Sequence, residues 1–93
     1  MTETATITLI SGQPQQFAQA LARVTAYLDD ARHCHNYLLT RSLDGNASYI
    51  MSSSWEDQPH RAAAWYYFSD IFAAANVVIH VTLEAELAHQ PIA

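Results

Sequence analysis

Residues 33–59 read HCHNYLLTRSLDGNASYIMSSSWEDQP. Asp44-Gly45-Asn46 separates two strand-like runs, His33 to Leu43 and Ala47 to Trp55. A tight hairpin turn needs positive φ values that Gly and Asn tolerate, so the two runs are predicted to be antiparallel neighbours. Glu56-Asp57-Gln58-Pro59 follows at once and has the chemistry of a helix start. Its acids sit at the positive end of the helix dipole, and its proline falls in the first turn, where a missing N–H breaks no intrahelical bond.

Upstream of this stretch, Thr4 to Ile10 (TATITLI) alternates threonine with apolar residues, the period of a strand with one buried face. Ser11-Gly12-Gln13-Pro14 interrupts it, and Pro14 suits the first turn of a helix. Phe17, Leu21, Val24 and Leu28 then recur at helical spacing and predict the buried stripe of that helix. Downstream, the second helix carries Ala62, Ala63, Ala64, Trp65 and Phe68. Ser69-Asp70 is expected to cap a further short turn through Ile71, Phe72 and Ala75, which breaks the helix in two and ends near Asn76, a residue that accepts left-handed geometry. In Val77 to Leu87 (VVIHVTLEAEL), Val77, Ile79, Val81, Leu83, Ala85 and Leu87 point one way, and His80, Thr82, Glu84 and Glu86 the other.

The predicted order is therefore βαββαβ, an α+β fold of ferredoxin-like type. Right-handed crossovers turn it into a four-stranded antiparallel sheet with both helices on one face. The other face has no cover within the chain, and a second copy would supply it as a dimeric α/β barrel. The length of 93 residues fits one domain spanning residues 1–93. An apolar share of 51% in so short a chain also points to burial against a partner subunit, hence a homodimer. The tail, Ala88 to Ala93, is expected to be loose or to act as a dimer arm.

Composition narrows the function classes. Nine acids stand against four arginines and no lysine, giving a net charge of −5, so there is no basic cluster to neutralise phosphates and nucleic acid is not expected as a partner. Anionic membrane surfaces are disfavoured for the same reason, and no apolar run approaches the roughly 20 residues of a bilayer span. Met1-Thr2-Glu3-Thr4 carries no secretory signal pattern, and a single cysteine, Cys34, excludes an internal disulfide framework. These features together predict a cytoplasmic protein.

The junction Trp55-Glu56-Asp57, with the hairpin before it and an aromatic-rich helix and Ser69-Asp70-Ile71-Phe72 after it, resembles the antibiotic biosynthesis monooxygenase family of dimeric α/β barrels. The resemblance runs from the first strand through the last. It implies a cofactor-independent monooxygenase acting on a small aromatic or quinone-like metabolite; a noncatalytic dimeric binding or interaction module on the same fold is the alternative. Members that oxidise phenols use an asparagine four residues before the junction tryptophan, where this chain has Met51. Heme-degrading members use an asparagine on the first strand, a tryptophan in the second helix and a later histidine. Trp65 matches, whereas the first strand has no asparagine and Asn76 stands at the histidine position, so heme is not expected.

Oxygenation of a phenol without a cofactor needs a base to form the electron-rich anion and an apolar pocket with a few polar groups to orient it. His35 and His80 are the candidate bases, because imidazole titrates near neutrality and both lie in predicted strands. Tyr37, Tyr49, Trp55, Trp65 and Asn76 are the candidate substrate-binding residues, with core packing the competing role for each aromatic. His33-Cys34-His35 invites a metal reading, but alternation puts Cys34 on the opposite face from the two histidines, and no metal is expected there. In Trp65-Tyr66-Tyr67-Phe68 the rings radiate around a helix, and Tyr66 and Tyr67 are expected at an interface.

Overall fold

The computed structural model describes residues 1–42 and 47–86. Its elements run β1 (Thr2–Ser11), α1 (Pro14–Asp30), β2 (Cys34–Arg41), β3 (Ser48–Trp55), α2 (Gln58–Ala74) and β4 (Val78–Glu86). The sheet order is β2-β3-β1-β4 with every neighbouring pair antiparallel, so the predicted ferredoxin-like βαββαβ arrangement is the one observed. β2 and β3 pair as predicted, with Thr40 opposite Ile50 and Arg41 opposite Tyr49. The expected turn residues Asp44-Gly45-Asn46 lie outside the described residues, as do Leu87 and the tail.

Alternation along β1 assigns the two sheet faces. Ala5 and Ile7 are fully buried beneath the helices and sit level with Met51 and Tyr49 of β3 and with Leu83 and Val81 of β4. Thr4, Thr6 and Thr8 point the other way, level with Ser52, Ile50 and Ser48 and with Glu84, Thr82 and His80. The predicted α1 stripe of Phe17, Leu21, Val24 and Leu28 is buried along its whole length. Phe17 meets Tyr49 edge-on at 5.7 Å and Phe72 at 6.2 Å, tying both helices to the sheet through one ring.

The structure corrects the expected break in the second helix. α2 is continuous through Ser69 and Asp70, because the Ser69 hydroxyl donates to the Trp65 carbonyl at 3.0 Å inside the helix instead of capping a new one. The helix ends where predicted, with Asn76 in the left-handed region at φ 57°. Val77 is buried, and pairing in the last strand starts one residue later than expected, at Val78. Gly12, at φ 118°, is pressed against this turn: a Cβ there would lie 2.9 Å from the Asn76 carbonyl oxygen and from Val77 Cγ1. No helix among the described residues is long and apolar enough to cross a membrane.

Candidate functional site

The junction of β3 with α2 lies at the opposite end of the sheet from Gly12 and Asn76. Asp57 caps α2, its carboxylate accepting from the His60 backbone N–H at 3.0 Å. With the first turn so fixed, consecutive side chains diverge by about 100°. His60 turns outward to Asp57, and Arg61 turns under the helix toward β1. Trp65 follows one turn later on the same flank.

Arg61 and Trp65 converge on Glu3. The Glu3 side chain is buried, an unusual place for a carboxylate, and it is fully occupied. Arg61 Nη1 donates to Oε2, and Trp65 Nε1 donates to Oε1 at 2.6 Å. Beside Glu3, its cross-strand partner Ser53 is also buried and accepts from Trp55 Nε1 at 2.9 Å. Arg61 Nε is buried without a hydrogen-bond partner among the described residues. Arg61, Ala62, Trp65, Tyr66 and Ser69 form one wall of a groove of about 260 Å³, with Leu83 of β4 opposite. An apolar trough with one anchored guanidinium suits a flat, anionic or hydrogen-bonding aromatic.

Two other hollows are less suited to that task. One of about 300 Å³, between the end of α1 and the start of β2, is lined by Leu28, Asp29, Ala31, Cys34, His35, Asn36 and Tyr37. There the Tyr37 hydroxyl donates to Asp29 Oδ1 at 2.6 Å, and this bond raises the phenol above its ordinary pKa. Burial pushes the Cys34 thiol up in the same way. The third and largest, about 510 Å³ between the two helices, is lined by Arg23, Ala26, Tyr27, Asp30, Ala31 and Tyr67. None of these residues is fully buried, so the hollow opens on solvent without an enclosed polar group.

The predicted site residues thus fall in several places. Trp65 lines the groove, and Trp55 is packed in the core behind it. His35, at the irregularity where β2 begins, shares the α1–β2 hollow with Tyr37. Tyr49 is half-buried against Phe17. His80 is exposed on the open sheet face beside Thr82, and Asn76 is exposed at the far end of α2. Tyr66 and Tyr67 are both exposed, and the Tyr67 ring lies tilted against Tyr27 with centroids 4.9 Å apart. Sequence reasoning missed Glu3 and Arg61. The available signal was phase, since Glu3 occupies the inward position two residues before Ala5 and Ile7.

Comparison with known proteins follows this geometry. The sequence profile described as antibiotic biosynthesis monooxygenase matches residues 1–75. A search of curated proteins gives no match. Among solved structures, SnoaB, a cofactor-independent oxygenase from Streptomyces nogalater, superimposes with a TM-score of 0.67 at 21% identity, covering 98% of this chain and 96% of that one. PA3566 from Pseudomonas aeruginosa gives 0.61 at 20% identity over 94% and 93% of the two chains. A conserved protein from Bacteroides thetaiotaomicron, of unknown function, gives 0.66 at 11% identity over 89% and 93%. At these identities the superpositions establish the shared fold.

Proposed function

Because the chain belongs to the antibiotic biosynthesis monooxygenase family, we propose that it is a homodimeric, cofactor-independent monooxygenase for a small aromatic or quinone-like metabolite, held in the groove between α2 and β4. The observation that carries this reading is the Arg61 guanidinium, anchored by buried Glu3 and standing beside the Trp65 ring in an otherwise apolar trough. A cation fixed in a poorly hydrated wall stabilises a phenolate or enolate, and that anion is the form that reduces dioxygen. Solvent takes one proton from a ring CH₂ group, the resulting carbanion gives its electrons to dioxygen and bonds to it, and the peroxide anion takes a proton back from water to give a hydroperoxide at that carbon. Loss of water then leaves a carbonyl, so one oxygen atom enters the product, the other leaves in water, and the substrate supplies all the electrons.

The imidazole bases proposed from sequence, His35 and His80, stand on other surfaces, so the anion-stabilising role in the groove falls to Arg61. In this reading a second copy covers the open sheet face; the support is that Leu38 is 62% exposed and Ile50 is 37% exposed there among rows of serine and threonine. Sedimentation then reads twice the chain mass, and a monomer at all concentrations removes the barrel.

Oxygen uptake by metal-free protein with a panel of hydroquinones and anthrones tests the chemistry. Arg61→Met, in protein shown to be folded by circular dichroism, lowers the rate by about 10²- to 10³-fold, while His35→Ala and His80→Ala retain it. A rate lost instead in either histidine variant, together with its rise with pH, returns the role to an imidazole base. No uptake by the wild-type protein across the panel removes the oxygenase reading.

A further inference from the structure

On the outer side of the same helical turn, His33, Glu56 and His60 offer ligand atoms that all lie within 4.8 Å of one another. The two imidazoles stack with centroids 3.4 Å apart and planes inclined by 21°. Each has its Nδ1 on a carboxylate oxygen at 2.6 Å, His33 on Glu56 and His60 on Asp57. Among the described residues neither Nε2 has a partner. On His60 the Asp57 carboxylate at Nδ1 fixes the tautomer and leaves Nε2 as a lone-pair donor, the arrangement that supports imidazole ligation of metals; on His33 the ion would take the place of the proton between Nδ1 and Glu56 Oε2, with both as ligands.

The backbone holds these groups in place from both sides. The Glu56 N–H donates to the His33 carbonyl at 2.8 Å, so the start of β2 is tied to the end of β3. Asp57 caps α2 through the His60 N–H at 3.0 Å, so the ring of His60 leaves a fixed first turn. We infer that His33, His60 and Glu56 form a binding site for a divalent first-row transition cation of the zinc class. Two imidazoles and one carboxylate suit such ions better than calcium or magnesium, which take oxygen donors. Zinc–ligand bonds of about 2.0–2.2 Å set tetrahedral ligand atoms roughly 3.3–3.6 Å apart. Occupation therefore draws the donors inward by on the order of 1 Å and turns the two rings out of their stack so that both in-plane lone pairs meet the ion, movements open to side chains that remain 41%, 54% and 43% exposed. Three protein ligands leave the remaining coordination positions to water.

The site is separate from the groove of the oxygenase reading and stands or falls without it. The test is calorimetric titration of the chelator-stripped full chain with zinc chloride alone, followed by cobalt(II) spectroscopy. One zinc per chain is expected. His33→Ala, His60→Ala and Glu56→Gln each weaken binding by about tenfold or more, with circular dichroism unchanged; His35→Ala and His80→Ala bind as the wild type does. The cobalt form shows visible d–d bands without a thiolate charge-transfer band. Absence of stoichiometric binding, binding that survives in the folded His33→Ala/His60→Ala double variant, or a thiolate band that places the ion on Cys34 overturns the assignment.

Discussion

His60 and Arg61 are adjacent on the first turn of α2 and each engages a carboxylate, but they do so in opposite surroundings. The His60–Asp57 and His33–Glu56 pairs sit in solvent with side chains 41–54% exposed, whereas Arg61 and Glu3 are only 16% and 2% exposed. Water screens the outer pairs, so each contributes little and can exchange partners at little cost. The inner pair has lost its hydration and has only itself and Trp65 to replace it. Its contribution is to geometry, because any shift of α2 along β1 would strand a buried charge.

The largest effect that could break this contrast is loss of one inner partner. Arg61→Met or Glu3→Leu alone should destabilise the fold by about 3–5 kcal/mol, and the Glu3→Leu/Arg61→Met double variant should recover most of that loss. Urea midpoints decide it: a double variant as unstable as the sum of the singles would show that the two charges do not depend on each other. Trp55 is the partition between the regions, since it ends β3 beside the outer cluster while its indole N–H reaches Ser53 in the core. Trp55→Ala should cost about 3–5 kcal/mol through the cavity it leaves. An unchanged midpoint would mean that the partition is not packed.

The smallest effect concerns the outer region. Asp57 is held below the ordinary carboxylate range, first by the His60 backbone N–H and then by the His60 side chain. A depressed folded-state pKa gives stability that is present in full above the unfolded value, near ~4, and is lost as pH falls through the lower folded value. Asp57→Asn retains the cap acceptor but cannot titrate, so its denaturation midpoint should fall less than that of the wild type as pH is lowered through that window. Parallel pH profiles for the two proteins would show that Asp57 does not carry the acid sensitivity.

Element order and the α1 stripe were legible because both rest on local periodicity: threonine alternation in β1 and the spacing of Phe17, Leu21, Val24 and Leu28. The pairing of Glu3 with Arg61 was not, since the two are 58 residues apart and no local pattern joins them. α2 also gave no phase, because Ala62 to Phe68 is apolar on every side and does not show which flank meets the sheet. Trp65 was singled out for its chemistry, while its hydrogen-bond partner was hidden in a strand end that reads as an ordinary charged terminus. His80 and Trp55 illustrate a different limit. Alternation in Val77 to Leu87 already put His80 on the side away from the apolar residues, whereas only the observed structure shows that Trp55, at the strand end, is packed beneath the helices.

The contact of Gly12 with Asn76 and Val77 ties the connection before α1 to the connection after α2. Lengthening either connection would displace the other, so compatible insertions at that end must arise in both at once, a rare event in sequence drift. At the β3–α2 end the Glu56 N–H on the His33 carbonyl ties two connections in the same way, but the groove side chains Ala62, Tyr66 and Leu83 take no part in that tie. A library intended to change what the protein binds therefore belongs at that end, with Gly12 and Asn76 kept constant as the hinge pin of the scaffold.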